Sequence, residues 1–157
     1  MANTSPANEK QSAIVLRDVR KHYGAVHAVD GVDLKIPQGQ VFGLIGHNGA
    51  GKSTLFKMML GLERPTSGHI TVAGADVAGP NFRAARRKLG YLPENVVLYD
   101  NLSGLETLNF FARLKGASLQ ECPSLLDKVG LSHAGKRAVR EYYKGMRQRL
   151  GFAQALL

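Results

Sequence analysis

The chain has 157 residues, with 44% hydrophobic and 21% charged side chains, a composition of a folded globular protein rather than a disordered one. Lysine and arginine number 21 against 12 acids, a net charge of +9 that predicts an anionic partner such as a nucleotide, nucleic acid or headgroup. A single cysteine, Cys122, excludes an internal disulfide framework, and even the apolar run Thr54–Leu62 is broken by Lys57, so no membrane span is expected. The expectation is an intracellular soluble domain.

Residues 1–12 are polar and read as a loose terminus without the apolar core of a secretion signal. Ala13–Val19 and His27–Ile36 read as strands, the second partly alternating apolar and polar residues. Pro37 and Gly39 mark a turn, and the apolar run Gln40–Ile45 reads as a buried strand. Lys52–Leu62 has the composition of a helix, ended by Arg64–Gly68. A strand over His69–Ala73, a loop over Gly74–Pro80, a basic helix over Asn81–Lys88 and a short strand over Leu89–Leu92 follow.

Beyond Pro93 the pattern turns helical. Ser103 predicts an N-cap for Gly104–Lys115, with Glu106 three residues on as in a capping box. Leu105, Leu108, Phe111 and Ala112 share a face of that helix. Pro123–Val129, closed by Gly130, and Lys144–Leu157 are two further helices. The predicted organisation is a terminus over 1–12, an α/β core over 13–93 and a helical subdomain over 94–157.

Residues 46–54 read GHNGAGKST and contain G-x-x-x-x-G-K-S between a predicted strand and a predicted helix, the context a phosphate-binding loop requires. Gly46, Gly49 and Gly51 allow the backbone to curl, so that amides from Gly46, His47, Asn48, Gly49, Ala50, Gly51 and Thr54 can point at one anion. The helix start adds the positive end of its dipole. Lys52 reaches the terminal phosphates of ATP, and the Ser53 hydroxyl can coordinate Mg²⁺. The expected fold class is therefore an α/β P-loop NTPase.

Three more segments carry a finer resemblance: KHYG at 21–24, GYLPEN at 90–95 and YYKGMRQR at 142–149. With the phosphate loop they resemble the ATP-binding subunit of an ABC transporter. The resemblance implies that Tyr23 stacks on adenine and that Glu94 occupies the Q-loop position where glutamine is usual. It also implies that Tyr143, Lys144, Gly145 and Met146, following Tyr142, form the signature that caps ATP held by a second ATPase subunit. Tyr143 departs from the serine usual there, and a phenol is much bulkier than a hydroxymethyl group. GHNGAGKST, GYLPEN, FARLKGA and YYKGMRQRLGFAQALL most resemble the NosF-type ATPases of the copper-handling system that matures nitrous oxide reductase. The family's Walker B strand, catalytic glutamate and switch histidine lie beyond Leu157, so no catalytic residue is expected here and the chain reads as truncated. Losing about five buried strand residues would cost about 7–15 kcal/mol, so marginal stability is expected.

His47 reads as a subfamily marker rather than a base. His22, His27, His69 and His133 are dispersed and predict no metal centre. Gly135–Arg149 carries Lys136, Arg137, Arg140, Lys144, Arg147 and Arg149 against Glu141, without interleaved aromatics, and reads as a solvated face rather than a nucleic-acid surface. The implied cofactors are ATP and Mg²⁺. The implied partners are a second ATPase and a membrane permease, which would place the protein at the cytoplasmic face of a membrane. A nucleotide-dependent switch acting on a protein or RNA, and an inactive truncated fragment, are the alternatives.

Overall fold

The computed structural model describes residues 12–157. The polar terminus read over 1–12 falls outside that span except for Ser12, which is buried at the start of the first strand. The chain divides into two compact units, one ending at Lys88 and the other covering Leu89–Leu157.

The first unit is built on a hairpin of β1 (Ser12–Tyr23) and β2 (Val26–Pro37), both longer than their apolar runs alone indicate. β3 (Ser67–Val72) pairs with the other edge of β1, and the two-residue β4 (Ala75–Asp76) closes an antiparallel sheet of order β2-β1-β3-β4. Leu16, Val19, Ile70 and Val72 from the sheet and Leu55, Met58 and Met59 from helix α1 (Lys52–Met59) form its apolar interior. α1 stops three residues short of the predicted Leu62. Gly61 adopts a left-handed φ of 65°, and the Gly61 and Leu62 amides donate back to Met58 and Lys57, which satisfies the last carbonyls.

Two predicted strands do not form. Gln40–Ile45 has no regular secondary structure and joins no ladder, and Val41 and Ile45 are almost wholly solvent-exposed, at 105% and 95% of their reference areas. A buried parallel strand needs neighbours brought in from distant sequence, and none of the described residues supplies one. Leu89–Leu92 is likewise irregular. The basic helix shortens to α2 (Phe82–Arg86). Asn81 makes no side-chain cap, and Arg83 and Arg87 are like charges one turn apart.

The second unit is helical, with α3 (Gly104–Lys115), α4 (Cys122–Lys128) and α5 (Lys144–Leu156). Ser103 caps α3 by accepting from the Glu106 amide, while Glu106 accepts from the Ser103 amide, a complete capping box. Leu108 and Ala112 of the predicted α3 face are fully buried, and Leu105 and Phe111 pack at the edge of the same cluster. Leu125, Leu126, Leu131, Val139, Met146 and Leu150 complete this core. Among the described residues no helix is long and apolar enough to cross a membrane.

Candidate functional site: a phosphate loop and a helix start

The loop from Gly46 to Gly51 enters α1 with no acid in the first turn and no side chain capping the helix start. The first amides of α1 are thus left for an anion. Gly49 and Gly51 hold left-handed φ values of 85° and 79°. Gly51 also has no room for a side chain, because a Cβ there would lie 2.1 Å from the Ala28 carbonyl of β2. The Ala50 amide donates to the His47 carbonyl at 3.2 Å, closing the tip of the loop, so contrary to expectation that amide is engaged within the loop.

Lys52 donates to the carbonyls of Gly46 and His47, both at 2.7 Å. An ammonium group has three donors, so one remains for a phosphate oxygen. The His47 ring turns to the Asn48 carbonyl through Nδ1 at 2.8 Å. Ser53 is exposed and Thr54 half-buried in the first turn of α1. Free amides, a spare ammonium donor and an exposed hydroxyl at one helix start fit a nucleotide phosphate with its magnesium ion.

Tyr23 ends β1 on the same unit, its side chain about half exposed, with the Lys21 ammonium 5.0 Å from the ring centre. Partial burial, then the Glu63 carboxylate, push its phenol above the usual range. Lys21 pairs with Glu63 at 3.0 Å and donates to the Arg64 carbonyl at 2.8 Å, so the cation beside the ring is anchored.

The remaining predicted residues belong to the second unit. Glu94 is exposed, and its backbone carbonyl accepts from the Gln148 side-chain amide at 2.8 Å. Tyr143, Lys144 and Gly145 are exposed at the start of α5. The Met146 side chain does not join them: it is 2% exposed inside the helical core, so only its backbone lies at the helix start. Tyr143 is the N-cap residue of α5 but makes no capping bond; its hydroxyl accepts from Arg149 at 3.1 Å. Tyr142 is structural, with its buried hydroxyl donating to the Ala134 carbonyl at 2.7 Å.

Three cations of the basic stretch are engaged within the unit. Arg137 pairs with Glu141 at 3.2 Å and Arg147 with Asp100 at 2.7 Å. Arg149 donates to the carbonyls of Val129 and Gly130, both at 3.2 Å. Dispersal of the histidines, by contrast, is corrected by the hairpin: His22 and His27 face each other as cross-strand partners. The two-residue Gly24–Ala25 turn between KHY and VHA is the sequence signal for that pairing.

The sequence profile of the family described as ABC transporter matches residues 29–157. This chain belongs to the ABC transporter family. It is 41% identical to an uncharacterized ABC transporter ATP-binding protein of Nostoc sp., covering 93% of this chain and 47% of that one. It is 39% identical to the lantibiotic transport ATP-binding protein SrtF of Streptococcus pyogenes, covering 90% and 60%, and 38% identical to the bacitracin transport ATP-binding protein BcrA of Bacillus licheniformis, covering 89% and 46%. The solved ATP-binding subunit of an ABC transporter superposes with a TM-score of 0.79 at 32% identity, covering 90% of this chain and 60% of that one. CbiO1 of Clostridium perfringens shares the fold at a TM-score of 0.80 and 22% identity, with 93% and 61% covered. The fold is thus that of ABC ATPases in part, and the chain spans about half to three-fifths of the length of these curated relatives.

Proposed function

We propose that residues 46–54 bind the phosphates of ATP and that the chain supplies part of an ATP-binding subunit driving a membrane permease from the cytoplasmic side. The observation that carries the reading is the uncapped start of α1 facing a loop whose Lys52 has one donor to spare. Backbone amides would hold the phosphate oxygens and Lys52 would neutralise the terminal charge. Ser53 would hold Mg²⁺, which when bound draws charge from the β- and γ-phosphates. Tyr23, half exposed beside an anchored lysine, would stack on adenine, and Glu94 would accept from a water at the nucleotide. Tyr143, Lys144 and Gly145, with the Met146 backbone, would cap the ATP of a second subunit. Pair closure would bias the permease through differential affinity for its two states.

Fluorescent-nucleotide titration tests the site. Lys52→Ala is expected to weaken binding at least about tenfold, since it removes a charge-assisted hydrogen bond. Affinity equal to the unaltered chain would remove Lys52 from the site.

For the cargo, the names of SrtF and BcrA support export of a peptide antibiotic or similar compound. The wording of GYLPEN, FARLKGA and YYKGMRQRLGFAQALL supports a second reading, copper or sulfur-species handling for nitrous oxide reductase. Gene deletion separates them: lost drug tolerance fits the first, and lost nitrous oxide reduction fits the second. RNA co-purifying with the protein would favour a switch over both.

A further inference from the structure

The hairpin carries a second cluster of donor atoms that the phosphate loop does not use. His22 and His27 pair directly across β1 and β2, and their rings stack with centroids 4.0 Å apart and 19° between planes. Asp30 joins them, with one ligand atom from each of the three residues within 4.8 Å of the others.

Three features distinguish this cluster from a chance meeting of polar side chains. The first is register. Residues three apart on a regular strand point to opposite faces, but Lys21 pairs with Val29 while His22 pairs with His27. Ala28 is therefore an extra residue in β2, a bulge that brings Asp30 back to the face of His27. The second is satisfaction. The Nε2 atom of His22 is buried and has no hydrogen-bond partner, a costly state for a polar atom. The third is the hold on Asp30. Its carboxylate pairs with Arg20, but Arg20 also makes two bonds to Asp18, at 3.1 and 2.8 Å, so Asp30 can turn away without orphaning the guanidinium.

We propose that His22, His27 and Asp30 bind a divalent transition-metal ion of the zinc class, completed by water. Two imidazoles and one carboxylate suit such ions better than the all-oxygen sets of magnesium or calcium. Ligand atoms around a tetrahedral zinc ion stand about 3.4 Å apart and each imidazole binds in its own ring plane, so closing the present cluster onto a metal takes rotation of one histidine ring out of the stack together with rotation of the Asp30 side chain. Its structural effect is to clip β1 to β2 beside the Gly24–Ala25 turn, one residue from Tyr23.

Calorimetric titration of the chelator-stripped chain, free of any polyhistidine tag, with Zn²⁺ tests the site, and Co²⁺ absorption reports coordination directly. One ion per chain is expected. The double variant His22→Asn/His27→Asn should lose more than about 100-fold in affinity, beyond the effect typical of outer-shell changes. His69→Asn/His133→Asn should bind as the unaltered chain does. Asp30→Asn changes an exposed side chain and provides a measurement that survives if the double variant does not fold; it should weaken Zn²⁺ binding and shift the Co²⁺ spectrum. Unchanged affinity in a folded double variant, an unchanged Co²⁺ spectrum in Asp30→Asn, or equal loss in the His69/His133 variant would overturn the proposal.

Discussion

At Gly51 two constraints meet in one residue: a φ of 79° and the Ala28 carbonyl where a Cβ would stand. Gly51→Ala must therefore move β2 or the phosphate loop, and either shift misaligns the first amides of α1. Nucleotide affinity should fall by at least about tenfold, comparable to losing Lys52, although no functional side chain is removed. Affinity kept in Gly51→Ala but lost in Lys52→Ala would mean that charge, and not the backbone, does the holding. Tyr143 presents the opposite case, a side chain at a capping position that cannot cap. Tyr143→Ser supplies the missing acceptor for the α5 amides and should stabilise the protein by about 1 kcal/mol, or raise Tm by about 3 °C in a calorimetric melt. A lower Tm would show that the Tyr143–Arg149 bond matters more than the cap. The glycine turn that leads into an uncapped α1 was legible because the residues that shape it are contiguous in the chain. The histidine pair was not, because a turn and a one-residue bulge decide which face His22, His27 and Asp30 share.

Helix boundaries follow the same division between local and distant causes. α3 matches its predicted span because Ser103, Glu106 and the left-handed Gly116 set both ends within the segment. Gln40–Ile45 has equally strong apolar character but depends on partners elsewhere, and it joins no ladder among the described residues. The α3 cap also makes a pH prediction. Bonds from the Ser103 backbone and then its hydroxyl hold the Glu106 carboxyl below the usual carboxylate range. The folded state therefore favours the ionised form, so this contribution is complete above the unfolded pKa and is lost as pH falls through the lowered one. Glu106→Gln keeps an acceptor at the same position but cannot titrate. Its stability should vary less with pH across the acid range than that of the unaltered chain, as read from urea midpoints. Parallel pH curves for the two proteins would remove Glu106 from the acid response.

Across the whole molecule, protection from solvent is uneven. In the second unit Leu108, Leu131, Val139 and Leu150 are all fully buried in one cluster. In the first, Val41, Phe42, Ile45 and Phe56 remain exposed, and a cavity of ≈ 290 Å³ opens between Phe42, Phe56, Leu34 and Ile36. Apolar surface left in water contributes no burial energy at its site, and amides outside a ladder have no strand partner to break before they exchange. Hydrogen exchange should therefore be ordered: fastest over 40–47, intermediate over β1 and β2, slowest at the buried turns of α3 and α5. ATP with Mg²⁺ should slow exchange over 46–54 by engaging those amides, and should leave 40–43 nearly unchanged, since no phosphate contact is proposed there. Protection over 40–45 equal to that of β1 would mean that this segment has a strand partner in solution. A nucleotide effect absent at 46–54 would remove the amides of that loop as the phosphate ligands.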